Sequence, residues 1–446
     1  MLPLLLGQLW YWGRYFRPFA RRPAEAPATD AAATDAPVSV IVCAHNELDN
    51  LRELLPLLLR QDYPPGFEVL LVDDRSQDDT LQYAQQLGQL YGPSRFRLVS
   101  VKSTPAGFSP KKYALTLGIR AARHERLLFT DADCRPVGSD WVRLMQRGFN
   151  ISPTGHPQGW LAARKTPSPS PFPDGEGELA TSSRASSRLE LETRTSPPSP
   201  SGKGLGDGVL RAASQHLTTL GPGRGTGADL VLGFSNYAAA PGLLNALVRY
   251  ETLLTAAQYL SFAWAGHPYM GVGRNLAYTA AIFHRVKGFA SHVRALSGDD
   301  DLLVRDAVAA GARVAVVADA PAHTLSRPPE TWRAWMRQKT RHLSAGPAYR
   351  PADRRRLARF MGANLLWYAL TPLVLAADGS AQNLVTLALL WLGRSVLLLA
   401  AYRPLARRLG SRLPALALPA LDFLYFSFYC GWGLAVLLRR RPPVWK

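Results

Sequence analysis

Two carboxylates on alternate residues, Asp131 and Asp133, directly follow the apolar run Arg126-Leu-Leu-Phe-Thr130. At a strand end such a pair can share a hard divalent cation, Mg2+ or Mn2+, whose other positions hold a diphosphate. Alone, the pattern serves equally as a solvated acidic turn. Asp73-Asp74-Arg75-Ser76 ends a second apolar run, and a carboxylate there can accept hydrogen bonds from a nucleobase imide or a ribose hydroxyl. Asp78 and Asp79 read as turn or helix-capping residues. Ser109-Pro110-Lys111-Lys112 opens a helical stretch, where a cation and free backbone N–H groups can both face phosphate. Lys111 fits that role and an ordinary surface position about equally, while Lys112 reads as a solvated surface lysine.

A second acidic group, Gly298-Asp299-Asp300-Asp301, precedes the apolar helical run Leu302 to Ala310. Three adjacent carboxylates repel one another, so at least one proton affinity should rise towards the range of a general base. A helix N-terminus could equally stabilise at least one of them without catalysis. Between the two acidic groups, Gly271-Val-Gly273-Arg274-Asn275 sets small residues beside a cation and an amide, as in a loop closing over a polar ligand. Further on, Gln338 and Arg341 in the stretch Trp332 to His342 fall on one helical face, where an arginine fork can bind phosphate. An amphipathic helix on a membrane surface is the competing reading of that stretch.

The elements that position these residues follow from periodicity. Val38-Ser-Val-Ile-Val-Cys43, Phe67 to Val72, Phe96 to Val101 and Arg126 to Thr130 read as buried strands. Helical stretches from Leu48 to Leu59, Thr80 to Tyr91 and Lys111 to Arg123 separate them. The alternation predicts an α/β fold with a mostly parallel sheet, whose strands deliver His45-Asn46-Glu47, Asp73-Asp74 and Asp131-Ala132-Asp133 to one edge. Residues from about Thr166 to Gly208 are rich in Pro, Ser, Gly and Thr and read as a disordered insertion. Asp229 to Gly233 then resumes a strand, and Leu243 to Phe262 a helix.

The 446 residues carry 52 Lys and Arg against 33 Asp and Glu, a formal charge of +19. The basic clusters Arg14 to Arg22, Arg354 to Arg359, Arg403 to Arg412 and Arg439 to Arg441 all border apolar stretches, a pattern of membrane surfaces rather than of nucleic-acid binding. Phe360 to Ala377, Leu384 to Ala401 and Leu416 to Leu438 approach or reach the length of a bilayer span. Arg394 and Asp422 lie inside two of them, which is costly unless they face protein, so one stretch could instead lie in the interface or re-enter. Met1 to Tyr11 reads as an interfacial anchor or a shortened span. Cys43, Cys134 and Cys430 form no paired motif, consistent with a reducing compartment. The expected organisation is an anchor and linker over residues 1–37, a catalytic domain over 38–345 and a membrane region of two to three helices over 346–446. The catalytic domain is expected on the cytoplasmic face of an inner membrane.

In order, Ala44-His-Asn-Glu47, Val72-Asp-Asp-Arg-Ser76, Lys111, Asp131-Ala-Asp133, Gly273-Arg-Asn275, Asp299-Asp300 and Gln338-Lys-Thr-Arg341 resemble the motif series of glycosyltransferase family 2. Within that family the likeness is to the membrane-bound branch of cellulose, hyaluronan and poly-N-acetylglucosamine synthases. The resemblance implies a GT-A fold followed by transmembrane helices, and single-displacement transfer from a nucleotide-diphosphate sugar, UDP-sugars favoured, to a lipid or saccharide acceptor. It implies donor contacts from Asn46, Glu47, Asp73, Asp74, Lys111, Asp131, Gln338 and Arg341, and a metal on Asp131 and Asp133. Acceptor contacts fall to Gly273, Arg274, Asn275 and His342, and the base to Asp300 or Asp299, the spacing back from Gly311 favouring Asp300. The synthases carry Trp where this chain has His342, and its membrane region is short, which fits transfer to a lipid or hand-over of product. The competing expectation is a non-catalytic nucleotide-sugar-binding protein that regulates polysaccharide assembly.

Overall fold

The computed structural model describes residues 1–22, 36–151 and 227–438. The polar stretch Thr166 to Gly208, most of the 22–37 linker and the Arg439 to Arg441 cluster lie outside the described residues. Strands and helices are numbered in chain order among those described.

The core is a seven-stranded sheet in the order β3-β2-β1-β4-β8-β6-β9. It is built from β1 (Val38–Ala44), β2 (Phe67–Asp74), β3 (Phe96–Val101), β4 (Arg126–Asp131), β6 (Leu230–Leu232), β8 (Leu276–Thr279) and β9 (Val314–Val316). The first four run parallel, and β8 is antiparallel to both β4 and β6. Burial on both faces explains the apolar runs: Val38, Val40 and Val42 of β1 join one core cluster while Ile41 joins the other. One layer of helices includes α3 (Leu48–Leu59), which buries Leu51, Leu54, Leu55, Leu58 and Leu59, a single apolar stripe at helical spacing.

A small second sheet orders β5 (Cys134–Pro136), β10 (Thr324–Ser326) and β7 (Ser235–Tyr237). Strands of three residues carry too little period to be read from sequence, and none of the three was expected. Helix α4 (Thr80–Arg95) runs past Tyr91, but only across a break at Gly92, where φ is +70°.

The C-terminal region forms α11 (Pro351–Ala377), α12 (Ala381–Arg408) and α13 (Leu418–Leu438). Helices α11 and α12 are long and apolar enough to cross a membrane. The N-terminal α1 (Leu2–Tyr11) packs against α11. The two charges of the apolar stretches meet: Arg394 Nη2 lies 2.7 Å from Asp422 Oδ2, and both are almost completely buried. Arg394 also donates to Gln8 at 2.9 Å, Tyr368 at 2.7 Å and Asn364 at 3.0 Å. Asp422 accepts from Tyr368 and from Tyr250, the latter on α7 (Leu243–Trp264) of the sheet-bearing part. A buried charge pair with four of the five guanidinium N–H groups bonded and three bonds accepted by the carboxylate is the arrangement that makes such residues tolerable in an apolar region.

Candidate active site

Strand register sets the site. Ala44 of β1 pairs with Asp73 of β2, and Cys43 pairs with Asp131 of β4, so both acidic motifs emerge beside the end of β1. Two residues there have left-handed backbones, Asn46 at φ +57° and Arg75 at φ +60°. Asn tolerates this conformation, whereas Arg is held in it at a cost of roughly 1 kcal/mol or more. Cross-links hold the two turns: Asn46 N donates to Ser76 Oγ at 3.0 Å, and Gln77 N donates to Asn46 Oδ1 at 2.7 Å. Asp73 Oδ1 accepts from Ser76 N at 3.3 Å, Asp74 pairs with Arg75 Nε at 2.8 Å, and Glu47 accepts from Asn50 at 2.6 Å. Burial, with the charges of Asp133 and Asp131 adding, raises the pKa of Glu47.

A cavity of about 610 Å3 opens at Asp131 and Asp133, past the end of β4. Lys111, Asp131, Asp133, Gly273, Arg274, Asp299, Asp300, Gln338, Arg341 and His342 all line it, so most of the residues singled out from sequence converge although up to 231 positions separate them. Asn46, Glu47, Asp73, Asp74 and Asn275 are not among its lining residues.

Lys111 sits at the start of α5 (Pro110–Ala121) and bridges the two acidic groups, 3.1 Å from Asp131 Oδ1 and 2.9 Å from Asp299 Oδ2. Against the pull of burial, the carboxylates hold its ammonium pKa well above normal. Lys112 is buried rather than solvated, contrary to expectation: its Nζ donates to the carbonyls of His292, Ala295 and Ser297 at 2.7, 2.9 and 2.8 Å. It therefore secures the loop leading into the second acidic group.

That group divides its duties. Gly298 (φ +95°) turns the chain, and an added Cβ would strike Leu302 at 2.5 Å. Asp301 accepts from Leu302 N at 2.8 Å and from the Tyr349 hydroxyl at 2.6 Å, so it is engaged with the helix start. Asp299 pairs with Lys111, which outweighs burial and keeps its pKa low. Asp300 caps α9 (Asp301–Ala309), taking Asp301 N on Oδ1 and Gly273 N on Oδ2, both at 2.8 Å. Burial, reinforced by the charges of Asp299 and Asp301, raises its pKa to about 7. Each oxygen keeps a further lone pair that can receive a proton.

The Gly273-Arg274-Asn275 turn is fixed below β4 by Thr130 Oγ1, which donates to Arg274 O at 3.0 Å. Arg274 lies over the Tyr237 ring at 4.5 Å and donates to Ser326 Oγ at 2.9 Å. Asn275, expected at the acceptor, is instead completely buried. Its amide donates to Phe234 O and Ala322 O, both at 2.8 Å, and accepts from Trp141 Nε1 at 3.0 Å. Both amide hydrogens and one lone pair of that side chain are spent on holding the turn. Helix α10 (Trp332–Leu343) presents Gln338, Arg341 and His342, and Gln338 donates to the Tyr237 hydroxyl at 2.7 Å. Tyr237, Tyr349 and Glu251 were missed from sequence, since nothing in their spacing marks them. Glu251 accepts from Trp335 Nε1 at 3.1 Å and Tyr429 at 2.9 Å and pairs with Lys339.

Among the described residues no group of three His, Cys, Asp or Glu side chains could by itself hold a metal ion. The chain offers two hard oxygen donors, Asp131 and Asp133, and burial together with the neighbouring Asp131 charge raises the Asp133 pKa. Two carboxylate donors, with the remaining positions left to substrate phosphate and water, are the kind of donor set by which Mg2+ is held in phosphate-handling sites.

Residues 39–166 match the model of glycosyl transferase family 2. Over that segment the chain carries a family 2 glycosyltransferase domain, whose parallel β1 to β4 array sets acidic residues at its carboxyl edge. It is 32% identical over 120 residues to glycosyltransferase AglE of Haloferax volcanii, spanning 26% of this chain and 36% of that one. Likewise it is 32% identical over 120 residues to human dolichyl-phosphate beta-glucosyltransferase, spanning 25% and 36%. The match thus covers about a third of the length of these curated relatives. The mannosyltransferase PcManGT of Pyrobaculum calidifontis, solved with GDP-Man and Mn2+, shares the fold at TM-score 0.50 and 17% identity, over 95% of this chain and 96% of that one.

Proposed function

We propose that this chain is a membrane-associated inverting glycosyltransferase, moving a sugar from a nucleotide diphosphate to an acceptor hydroxyl, with Asp300 as general base. The observation that carries the reading is the position of Asp300 in one cavity with Lys111, Asp131 and Asp133. A base with pKa near 7 is poised to take a proton at neutral pH. Asp73 and Asp74 are assigned to the nucleoside, with Asn46 and Glu47 shaping the turn around it. Lys111, Gln338 and Arg341 are assigned to the diphosphate, where cations stabilise the leaving group's charge.

Asp131 and Asp133 would hold Mg2+ or Mn2+, which when bound supplies further charge stabilisation to the diphosphate. Gly273 N–H fixes one oxygen of Asp300, so the carboxylate is oriented before the acceptor arrives. The acceptor oxygen bonds to the anomeric carbon as the bond from that carbon to the diphosphate breaks, and the hydroxyl proton passes to Asp300. Gly273, Arg274 and His342 are assigned to the acceptor side. UDP is favoured as the nucleotide, and the membrane is assigned to α11 and α12 with the catalytic domain on the cytoplasmic face. The same assignment divides the chain into an anchor and linker (1–37), the catalytic domain (38–345) and the membrane region (346–446).

The test is to incubate the chain in lipid nanodiscs with a panel of UDP- and GDP-sugars and Mg2+ or Mn2+, following nucleoside diphosphate release. The reading predicts release with at least one donor, lost in Asp300→Asn; release that is unchanged in that variant overturns it.

A further inference from the structure

The cavity that holds the carboxylates continues past them. Its wall includes Leu357 and Met361 of α11 and Tyr425 and Tyr429 of α13, two helices that pack against each other. Helix α11 starts beside the acids, because Tyr349, two residues ahead of it, donates its hydroxyl to Asp301 at 2.6 Å. From there Arg354, Leu357 and Met361 recur at spacings of three and four, hence on one face, and extend the lining about 10 Å along the helix axis. The wall thus changes from carboxylate to apolar and aromatic along a helix that is itself apolar enough to cross a membrane. Leu357 and Met361 offer a saccharide no hydrogen-bonding partner, whereas a hydrocarbon chain gains by contact with them.

Charge then selects the head group. Asp300 has Asp299 and Asp301 as immediate neighbours, and the cations of the lining are engaged elsewhere: Lys111 with Asp131 and Asp299, Lys339 with Glu251, Arg274 with Ser326 and the Tyr237 ring, Arg354 with the Pro347 carbonyl, and Arg341 by assignment with the donor diphosphate. A phosphate placed at the base would face three carboxylates, while a hydroxyl faces only acceptors for its proton. Thr252, Thr255 and Gln258 of α7 add neutral polar side chains to the same lining.

We infer that the acceptor is a neutral lipid bearing a hydroxyl head, placed with the hydroxyl at Asp300 and the hydrocarbon chain along Leu357, Met361 and Tyr425. The inference rests on the donor-site reading of the preceding section and adds the acceptor's class. Its atoms balance as there: one C–O bond forms, one breaks, the proton goes to Asp300 and the nucleoside diphosphate leaves.

The experiment uses the full chain in lipid nanodiscs, the nucleotide-sugar panel, and hexyl, octyl and dodecyl glucosides as acceptors beside polyprenyl phosphate and cellotriose. Transfer efficiency is expected to rise about tenfold or more from hexyl to dodecyl glucoside, as buried methylenes add binding. Met361→Trp, which fills the apolar wall, should raise the KM for dodecyl glucoside about tenfold, while Leu389→Trp, on the exposed face of α12, should not. Nucleotide release with no dependence on chain length, or a higher efficiency with polyprenyl phosphate or cellotriose, overturns the acceptor assignment alone. Absence of release with every donor and acceptor overturns the donor-site reading and this inference with it.

Discussion

Lys111 Nζ lies 2.9 Å from Asp299 Oδ2 while keeping contact with Asp131, so one ammonium ties the proposed metal-binding motif to the acidic group that caps α9. Replacing it removes the cation from a cluster of carboxylates and from the assigned diphosphate site. Lys111→Met is expected to weaken nucleotide-sugar binding about tenfold or more, as loss of a hydrogen bond to a charged group generally does. Calorimetric titration with UDP or GDP measures this. Unaltered affinity would remove Lys111 from the donor site.

Asp300 is the acid whose two oxygens are oriented by backbone N–H groups while its neighbours oppose its ionisation. Asp300→Asn preserves shape and both acceptor contacts through the amide oxygen only in part, and it abolishes proton uptake. Turnover should fall by about 10^2 to 10^4, the usual worth of general base catalysis, with donor affinity little changed. A loss under tenfold would place the base elsewhere.

The pH dependence follows with its sign. Asp300 must be ionised to accept a proton, and its pKa is about 7 in the folded chain. Rates should therefore climb about tenfold per pH unit below 7 and level off above it. Because folding raises this carboxyl above its ordinary value, the protonated form favours the native state. Asp300's contribution to stability is fully present below the unfolded carboxylate pKa and is lost as pH rises towards 7. Asp300→Asn should consequently show a smaller fall in Tm between pH 5 and pH 8 than the parent. A flat rate profile across neutral pH excludes the assignment.

Burial, with the charge of Asp131 two residues away adding, raises the Asp133 pKa, and a divalent cation bound as proposed would relieve the repulsion between the two. Removing free metal with EDTA should abolish sugar transfer, with Mg2+ or Mn2+ restoring it. Asp133→Ala should raise the metal concentration needed for half-maximal rate by about tenfold or more. Full activity in EDTA would show that cations of the chain alone support the diphosphate.

Arg394 and Asp422 form a buried pair at 2.7 Å. Arg394→Ala leaves a carboxylate buried without its partner, and breaking such a pair costs about 3–5 kcal/mol. The variant should extract as a less stable protein, with thermal unfolding in detergent shifted sharply down. The double variant Arg394→Met with Asp422→Leu should recover most of the loss. If the single variant were as stable as the parent, the pair would be dispensable.

The sheet-and-motif part of the molecule is legible in the chain because it is local. An apolar run of six or seven residues followed by acids, as in Val72-Asp73-Asp74, announces a strand buried on both faces and the place where its edge meets solvent. Register then brings Asp73 and Asp131 to either side of β1 with no further information. What stays hidden depends on distant partners. Lys112 resembles any surface lysine until the loop at His292 to Ser297 folds over it with three carbonyls. Asn275 looks like a ligand contact, yet its amide is consumed by Phe234, Ala322 and Trp141 from three separate segments. The triple Asp could be parsed only when Lys111, Gly273 and Tyr349 each selected one carboxylate.

The polar knot around Arg394 binds side chains from five helices, Gln8 of α1, Tyr250 of α7, Asn364 and Tyr368 of α11, Arg394 of α12 and Asp422 of α13. Each helix can satisfy it at one rotation about its own axis. In descent, such a set behaves as a single character: a related chain that has lost the arginine is expected to have lost the aspartate as well, and the apolar substitutions that replace them should arrive together.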